Sequence, residues 1–329
     1  MALRIGQTMI VQLVADDVPV EIDARGEDGT VPTRQGPGHR AEQDGSDEGG
    51  GEQDCGWVRT TGGGSDRKAS GDQLGFDDHS VLLQTGGQKE IADGWFVGGS
   101  LAYENSSLDA KQGTGSARGD GVLAGLLVKR QLGSWLISGT LAGGYGWYDS
   151  KRYLDLGGIR QTASASPETQ QLGLSTRIAY QVPFEGWYLK PYLDLDVTYL
   201  RTGSYTESGA GALDLDVDSA DDIKFAAAPM IEVGGKLPLK DGVTLRPYAS
   251  AGVVLYDDNS WSADTRFATA PASAGTYQAK TELPDTLGRL NLGLELQATE
   301  HTQIKLEYSG ELGEDYQGHT GTLRFNYLF

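Results

Sequence analysis

The chain has 329 residues, of which 48 are glycine and 11 are proline, and its formal net charge is -19 at pH 7. An acidic chain without a basic stripe is not expected to bind nucleic acid, because phosphate recognition needs clustered Lys and Arg. One cysteine, Cys55, excludes an internal disulfide and a multi-cysteine metal site. No run of about 20 apolar residues offers a transmembrane helix, but the alternating strands of a membrane barrel remain compatible with this composition.

The first 56 residues differ in composition from the rest. They carry 12 acidic residues against four Arg, and residues 36–56 consist almost entirely of Gly, Asp, Glu, Gln and Ser. Such a segment buries too little apolar surface to offset its ordering entropy, so we expect it to be disordered or linker-like. Residues 1–15 lack the pattern of an export signal. If the protein is exported, we therefore expect this sequence to lack its true start.

From residue 57 onward, polarity alternates with the period of two that is typical of strands with one apolar face. The clearest case is residues 303–312, where Ile304 and Leu306 alternate with Lys305 and Glu307. The same rule predicts twelve strands, near residues 57–63, 76–87, 94–105, 119–131, 134–149, 168–182, 187–202, 222–237, 243–257, 284–298, 302–312 and 318–329. An even number of strands puts both barrel ends on one side of a membrane.

The connections between these strands alternate in length. Short ones are expected near residues 87–93, 131–133, 183–186, 238–242 and 299–301. Long ones, rich in Gly, Ser, Thr, Asp or Ala, are expected near residues 62–74, 106–118, 151–167, 203–221 and 258–283. Outer-membrane barrels have short periplasmic turns and long extracellular loops. Residues 57–329 are therefore predicted to be an all-β, twelve-stranded antiparallel transmembrane barrel with both termini on the periplasmic side.

Four tryptophans open alternate strands of this barrel: Trp57, Trp95, Trp135 and Trp187. Because indole rings prefer the membrane-water interface, we expect these side chains to form a girdle at the short-turn rim. If the apolar face of each strand meets lipid, charges of both signs line the lumen. The expected pore-lining residues are Arg177, Lys190, Asp194, Asp196, Lys224, Glu232, Arg246, Arg289, Glu295, Lys305, Glu307 and Arg324.

The last strand ends in an aromatic residue. Phe325, Tyr327 and Phe329 share its apolar face, which is typical of the final strand of outer-membrane barrels and is expected to serve as an assembly signal. The chain from Trp57 onward resembles the translocator β-domain of autotransporters, the type V secretion proteins of Gram-negative bacteria. The resemblance lies in residues 56–59, 94–103, 188–194, 245–249 and 325–329, in this order.

The resemblance implies a monomeric barrel in outer-membrane lipid, inserted by periplasmic chaperones and the barrel-assembly machinery. It implies that an amino-terminal passenger segment crosses the pore to the cell surface, with no cofactor, metal or catalytic residue involved. The sequence departs from the family pattern in front of the barrel, where the Gly- and Asp-rich segment has poor helix propensity. This departure predicts that residues 1–56 are a truncated passenger or a mis-started reading frame, and it puts passenger export by the chain in question.

Two other functions fit the same strand pattern. One is a porin-like or adhesin barrel, in which the pore or the loops act directly. The other is an outer-membrane hydrolase, for which a serine nucleophile needs a histidine base oriented by a third group. His79 and Ser80 are adjacent and point to opposite faces. His319, beside Glu311 and Asp315, is the stronger catalytic candidate, although an exposed loop histidine without a catalytic role is the favoured interpretation.

Overall fold

The computed structural model describes residues 52–71, 74–258 and 260–329. Its twelve long strands are β1 Cys55–Arg67, β2 Phe76–Ala92, β3 Trp95–Ala110, β4 Gly115–Leu132, β5 Trp135–Leu156, β6 Glu168–Tyr180, β7 Trp187–Thr202, β8 Ala220–Gly235, β9 Thr244–Tyr256, β10 Thr286–Thr299, β11 Thr302–Gly313 and β12 Tyr316–Leu328. Single-turn 3-10 helices lie at Lys111–Gly113, Gly211–Leu213, Lys240–Gly242 and Ala272–Ala274. Within the described ranges, no helix is long and apolar enough to cross a membrane.

The twelve strands form a closed antiparallel barrel. Each strand pairs with its two neighbours in sequence, and β1 pairs with β12 to close the sheet. In this closing pair Cys55 is opposite Leu328 at one end and Arg67 is opposite Tyr316 at the other. Closure satisfies the backbone donors and acceptors of both edge strands, which a lipid environment requires. The predicted twelve-stranded all-β fold is confirmed.

Side chains alternate between the outside and the inside of the barrel. In β12, Leu323 is 49% exposed whereas its neighbour Arg324 is 3% exposed. Each strand leaves a large apolar side chain exposed on the outside: Val58, Leu83, Leu101, Val122, Leu141, Leu172, Leu195, Ile231, Val253, Leu292, Leu306 and Leu323. Such an apolar belt around a polar interior is the reverse of a water-soluble protein and fits a barrel that spans a membrane.

The strands begin and end at two rims. The turn rim, where β1 begins and β12 ends, has tight turns at residues 93–94, 133–134 and 300–301. The opposite rim, the loop rim, carries the longer connections 203–219 and 257–285. Part of these two connections forms a separate antiparallel sheet, here called the loop sheet, whose strands are Tyr205–Thr206, Leu215–Val217, Ser260–Phe267 and Tyr277–Glu282.

Two connections are shorter than the sequence predicts. β1 continues to Arg67 and β3 continues to Ala110, because backbone ladder hydrogen bonds do not depend on the Gly- and Ser-rich side chains at these strand ends. The alternation of short and long connections is therefore not strict. Residues 159–165 also form a strand, which extends the β5 hairpin beyond the loop rim; strands Val182–Phe184 and Leu237–Pro238 lie in connections at the turn rim.

The acidic segment predicted over residues 1–56 lies outside the described residues as far as residue 51. Of its last five residues, Cys55 and Gly56 belong to β1. The barrel thus begins two residues before the predicted boundary at Trp57.

Candidate functional site: the barrel lumen

The lumen has a charged wall on β6 to β11. Apart from Lys305 and Glu307, which are two residues apart on β11, its paired acids and bases lie opposite one another on neighbouring strands, and this register brings opposite charges together. Arg177 binds Asp194 in a bidentate pair with N–O distances of 2.6 and 2.8 Å. The other pairs on this wall are Lys190 with Glu232, Arg246 with Glu295, Arg289 with Glu311, and Lys305 with Glu307.

Tyrosine rings fill the space between these pairs. The Tyr248 ring lies over Gly293 on the adjacent β10 strand, where an added Cβ would come within 2.0 Å of it. Tyr188 lies over Gly234 in the same way, and its hydroxyl donates to Glu232 at 2.7 Å. The Tyr248 hydroxyl donates to Glu307. Glycine is required on the neighbouring strand because any side chain there would displace the ring.

The opposite wall, on β2 to β5, carries a cluster of small and apolar side chains among buried polar ones such as Gln84, Glu104 and Lys129, and is here called the small wall. Leu82, Ala102, Leu123 and Ala142, one from each strand, are all less than 10% exposed and contact one another. Glycines continue this wall: at Gly144 an added Cβ would first meet the flexible end of Gln171, at 2.8 Å. The lumen therefore has ion pairs between neighbouring strands on one side and a cluster of short side chains on the other.

The chain enters the lumen at the turn rim just before β1. The Glu52 carboxylate lies 3.3 Å from the Lys129 ammonium, and both side chains are completely buried. Gln88 Nε2 also donates to Glu52, at 2.6 Å. Lys129 and Gln88 are inward-facing residues of β4 and β2, so Glu52 lies against the inner surface of the barrel. A buried ion pair of this kind holds the entering chain in one place, because separating it leaves an uncompensated charge.

A row of inward-facing basic residues lies along the inner wall from β1 to β9, on the loop-rim side of this entry point. The strand registers place Arg59 opposite Arg324 and Arg324 opposite Lys305. The row continues through Glu295 to Arg246. Arg59 donates to Gln84, whereas Arg324 donates to Asn326 at 2.7 Å. These four cations on β1, β12, β11 and β9 are here called the basic row.

The loop sheet lies at the loop rim and is tied to the barrel. Arg152, on the extension of β5, donates to Glu207 at 3.0 Å and to the Leu213 carbonyl at 2.7 Å. The connection between β9 and β10 also reaches the far side of the rim, where Leu283 packs on a buried cluster. The cluster comes from β2 to β5 and contains Phe76, Leu108, Ala117 and Tyr148. The loops thus extend across the end of the lumen at the loop rim.

All twelve residues expected to line the pore lie on the inward face of their strands. Asp194, Lys224, Glu232, Glu295, Lys305, Glu307 and Arg324 are less than 10% exposed, and Arg177, Lys190, Asp196, Arg246 and Arg289 are buried or half-buried. Two neighbours were missed. Arg59 and Lys129 have the same inward parity, but Arg59 lies beside an expected interface tryptophan and Lys129 lies in an otherwise apolar strand.

The aromatic residues expected at the membrane interface divide into two groups. Trp95, Trp135 and Trp187 point outward at the turn rim and are 42%, 48% and 45% exposed. Trp57 does not share this position. Its ring faces inward, with the Arg324 guanidinium carbon 4.6 Å from the ring centroid, since Trp57 has the parity of the buried Arg59. The expected assembly-signal residues point outward: Phe325, Tyr327 and Phe329 are 46%, 53% and 70% exposed.

The candidate hydrolase residues do not come together. His319 is exposed on the outside, where its Nδ1 lies 2.6 Å from the Tyr308 hydroxyl. Glu311 faces the lumen and binds Arg289 at 2.7 Å. Ser80 is buried inside whereas the adjacent His79 is exposed outside. Among the described residues there is also no group of three or more His, Cys, Asp or Glu that could hold a metal ion.

A closed antiparallel barrel with an apolar outer belt and a charged lumen defines an outer-membrane β-barrel. A family model described as the autotransporter β-domain matches residues 56–309. The chain therefore belongs to the autotransporter β-domain family, and the resemblance inferred from the sequence is confirmed. A search of curated protein sequences gives no match.

Three solved translocator structures share the fold. The translocator domain of NalP from Neisseria meningitidis is 16% identical, with a TM-score of 0.65, and the match covers 86% of this chain and 90% of that one. The β-domain of BrkA from Bordetella is 18% identical, with a TM-score of 0.59, and the match covers 84% of this chain and 100% of that one. The transport unit of AIDA-I from Escherichia coli is 16% identical, with a TM-score of 0.54, and the match covers 84% of this chain and 90% of that one. At these identities the likeness concerns the fold.

Proposed function

We propose that this barrel anchors an amino-terminal passenger segment and exports it to the cell surface, without catalysis of its own. The observation that carries the proposal is the path of the chain at Glu52. A side chain that precedes the first strand is buried against the inner surface of the barrel, on Lys129 and Gln88. A polypeptide that leads into the lumen from the turn rim has the small wall beside it, where short side chains leave room.

The proposed orientation follows from the two rims. The turn rim lies in the periplasm, with both barrel termini, and the loop rim with its loop sheet lies outside the cell. Outward-facing Trp95, Trp135 and Trp187 then lie at the periplasmic interface of the membrane. The charged residues of the lumen, from Arg177 to Arg324, form the polar surface along which the passenger segment lies.

A display experiment tests this function. The full chain is expressed in a Gram-negative host behind a signal peptide and an epitope-tagged reporter. We expect external protease to remove the reporter from intact cells while the barrel stays in the membrane. A reporter with the same signal peptide but without the barrel is the control and should stay protected. A reporter that remains protected in front of a correctly assembled barrel contradicts the proposal and favours a porin-like or adhesin barrel.

The aromatic residues of β12 are proposed to be read by the barrel-assembly machinery, with periplasmic chaperones as earlier partners. Phe329 extends beyond β12 and its backbone amide donates to the Asp54 carbonyl at 3.1 Å, while its ring is 70% exposed. Deletion of Phe329 should reduce the heat-modifiable, folded fraction in outer membranes, whereas Leu328→Val should leave it unchanged. Equal assembly of the deletion variant and the parent chain would exclude the recognition role.

A further inference from the structure

One buried carboxylate of the small wall has no basic partner. Glu104 of β3 faces the lumen and is 1% exposed. On the charged wall, Asp194, Glu232 and Glu295 each bind an Arg or a Lys. Among the described residues no such base pairs with Glu104, and its charged neighbour is Asp78, whose charge has the same sign. A buried carboxylate in this position is costly unless a cation lies near it.

Other buried oxygen atoms beside Glu104 also lack partners. In the described part of the chain, both Glu104 carboxylate oxygens, the Ser80 hydroxyl and the Thr169 hydroxyl make no hydrogen bond of normal geometry. The Ser80 hydroxyl lies beside the Glu104 carboxylate, on the neighbouring strand. Buried polar groups of native proteins are paired with protein, water or an ion, so this group of oxygens indicates a ligand that they share.

The strand register brings these oxygens together. Glu104, Gly121, Gly146 and Thr169 lie opposite one another on four adjacent strands, β3 to β6. The two glycines between Glu104 and Thr169 carry no side chain. A Cβ added at Gly146 would lie 2.6 Å from the Tyr148 hydroxyl and 2.9 Å from the Thr169 hydroxyl. Both hydroxyls therefore lie over this glycine, on the side of the wall that Glu104 also faces.

We propose that Glu104 and the hydroxyl groups beside it bind a divalent cation, Ca²⁺, inside the lumen. All of the ligands are oxygen atoms, which hard cations prefer, and the site combines one carboxylate with neutral oxygens from Ser80, Tyr148 and Thr169. Ca²⁺ balances the two negative charges of Glu104 and the neighbouring Asp78. It accepts six to eight oxygens in flexible geometry, whereas Mg²⁺ demands a near-ideal octahedron. Protonation of Glu104 would supply one donor only, which is too few for these oxygens.

A bound ion has a structural consequence that is independent of export. It links β2 through Ser80, β3 through Glu104, β5 through Tyr148 and β6 through Thr169. The ion thus provides between these strands the connection that ion pairs provide on the charged wall.

Thermal unfolding tests the site. The full chain is refolded into phosphatidylcholine vesicles, treated with EDTA and heated with Ca²⁺ or with choline chloride of equal ionic strength, and heat-modifiable gel migration measures the folded fraction. We expect Ca²⁺ to raise the unfolding midpoint of the parent chain, because a ligand that binds only the folded state stabilises it. Glu104→Gln should need more than about a hundredfold higher Ca²⁺ for the same rise, since it removes the charged ligand.

The matched control for this measurement is Asp109→Asn, which removes an exposed carboxylate on the outside of the same strand. Asp109→Asn should respond to Ca²⁺ like the parent chain. A parent midpoint that is the same in Ca²⁺ and in choline overturns the proposal, and so does a Glu104→Gln variant that responds as the parent does.

Terbium luminescence tests whether the bound ion is buried. Tb³⁺ shares the oxygen preference of Ca²⁺, and its emission lifetimes in H₂O and D₂O count the water molecules bound to it. We expect a long-lived component with few bound waters in the parent chain and in Asp109→Asn, displaced by Ca²⁺ and missing in Glu104→Gln. An emission decay that Glu104→Gln leaves unchanged would assign the ion to other carboxylates and overturn the proposal.

A second variant keeps the test decisive if Glu104→Gln does not fold. Thr169→Val replaces the hydroxyl by a methyl group of similar size and should weaken Tb³⁺ binding in the long-lived component by roughly tenfold. Unchanged Tb³⁺ affinity in a folded Thr169→Val chain overturns the proposal.

Discussion

The charged wall and the small wall of the lumen belong to one barrel but are built differently. On β6 to β11, ion pairs such as Arg177 with Asp194 connect neighbouring strands, and tyrosine rings fill the glycine positions between them. On β2 to β5, Leu82, Ala102, Leu123 and Ala142 contact one another, and Lys129 pairs with Glu52, which precedes β1, instead of with a neighbouring strand. The difference indicates that long side chains paired between strands order one half of the interior, while a cluster of short apolar side chains packs the other half.

The largest expected effect is the loss of one partner from a pair of the charged wall. Arg177→Gln leaves Asp194, which is 6% exposed, without its bidentate partner. We expect a loss of about 3 kcal/mol in the free energy of unfolding, because an unpaired buried charge costs far more than the pair contributes. Urea unfolding in lipid vesicles, followed by tryptophan fluorescence, measures it.

The double variant Arg177→Gln with Asp194→Asn is the control for this effect. It removes both charges and should recover most of the lost stability. If single and double variants unfold at the same urea concentration, the pair does not stabilise the wall in the manner described, and the contrast between the walls weakens.

Sequence alternation was sufficient to predict which side chains face inward, because period two fixes the face of every residue once one is known. It did not predict the basic row, since the row depends on the register that sets Arg59 opposite Arg324. It also missed Glu52 with Lys129, which are 77 residues apart. Trp57 shows the limit most clearly: its place at the start of a strand was predicted correctly, but the inward parity it shares with Arg59 was overlooked.

The loop sheet was not predicted for a different reason. Strand Tyr277–Glu282 is almost entirely exposed, so its sequence carries no alternation between buried and exposed positions. Strand Leu215–Val217 has only three residues. These strands form because segments of two different loops pair with each other at the loop rim. Local sequence patterns do not predict pairing between segments that are distant in the sequence.

The second-largest expected effect is the loss of stability when a glycine of the lumen wall is replaced by alanine. Gly293→Ala on the charged wall forces the Tyr248 ring to move, since the added Cβ would lie 2.0 Å from it, and this disturbs its bond to Glu307. We expect a loss of about 1–3 kcal/mol, the range for overpacked sites. Gly144→Ala on the small wall has its nearest contacts with Gln171 Nε2 at 2.8 Å and Leu123 Cγ at 3.0 Å, so it should cost less than Gly293→Ala, at most about 1 kcal/mol. Urea midpoints of the two variants compare the walls directly, and equal losses would contradict their different packing.

The smallest effect lies outside the barrel, where the same kind of ion pair is more exposed. Asp216 of the loop sheet accepts a hydrogen bond from the Thr206 hydroxyl at 2.8 Å and pairs with Arg266. The Thr206 hydrogen bond, assisted by Arg266, holds the pKa of Asp216 below its ordinary value of 3.8. The stabilisation is therefore present above the unfolded-state pKa and is lost as the pH falls through the lower pKa of the folded state.

Acidification from pH 6 to pH 3 should therefore loosen the loop sheet by less than about 1 kcal/mol, while the barrel strands keep their backbone pairing. Hydrogen exchange at Leu215–Val217, corrected for intrinsic rates, is expected to accelerate on acidification relative to exchange in β9. In Asp216→Asn the faster exchange should already be present at pH 6, with a smaller change on acidification. An unchanged pH response in that variant would assign the loosening to another carboxylate. In that case the ion pair of Asp216 would not stabilise the loop sheet, whereas the contrast between the charged wall and the small wall would still hold.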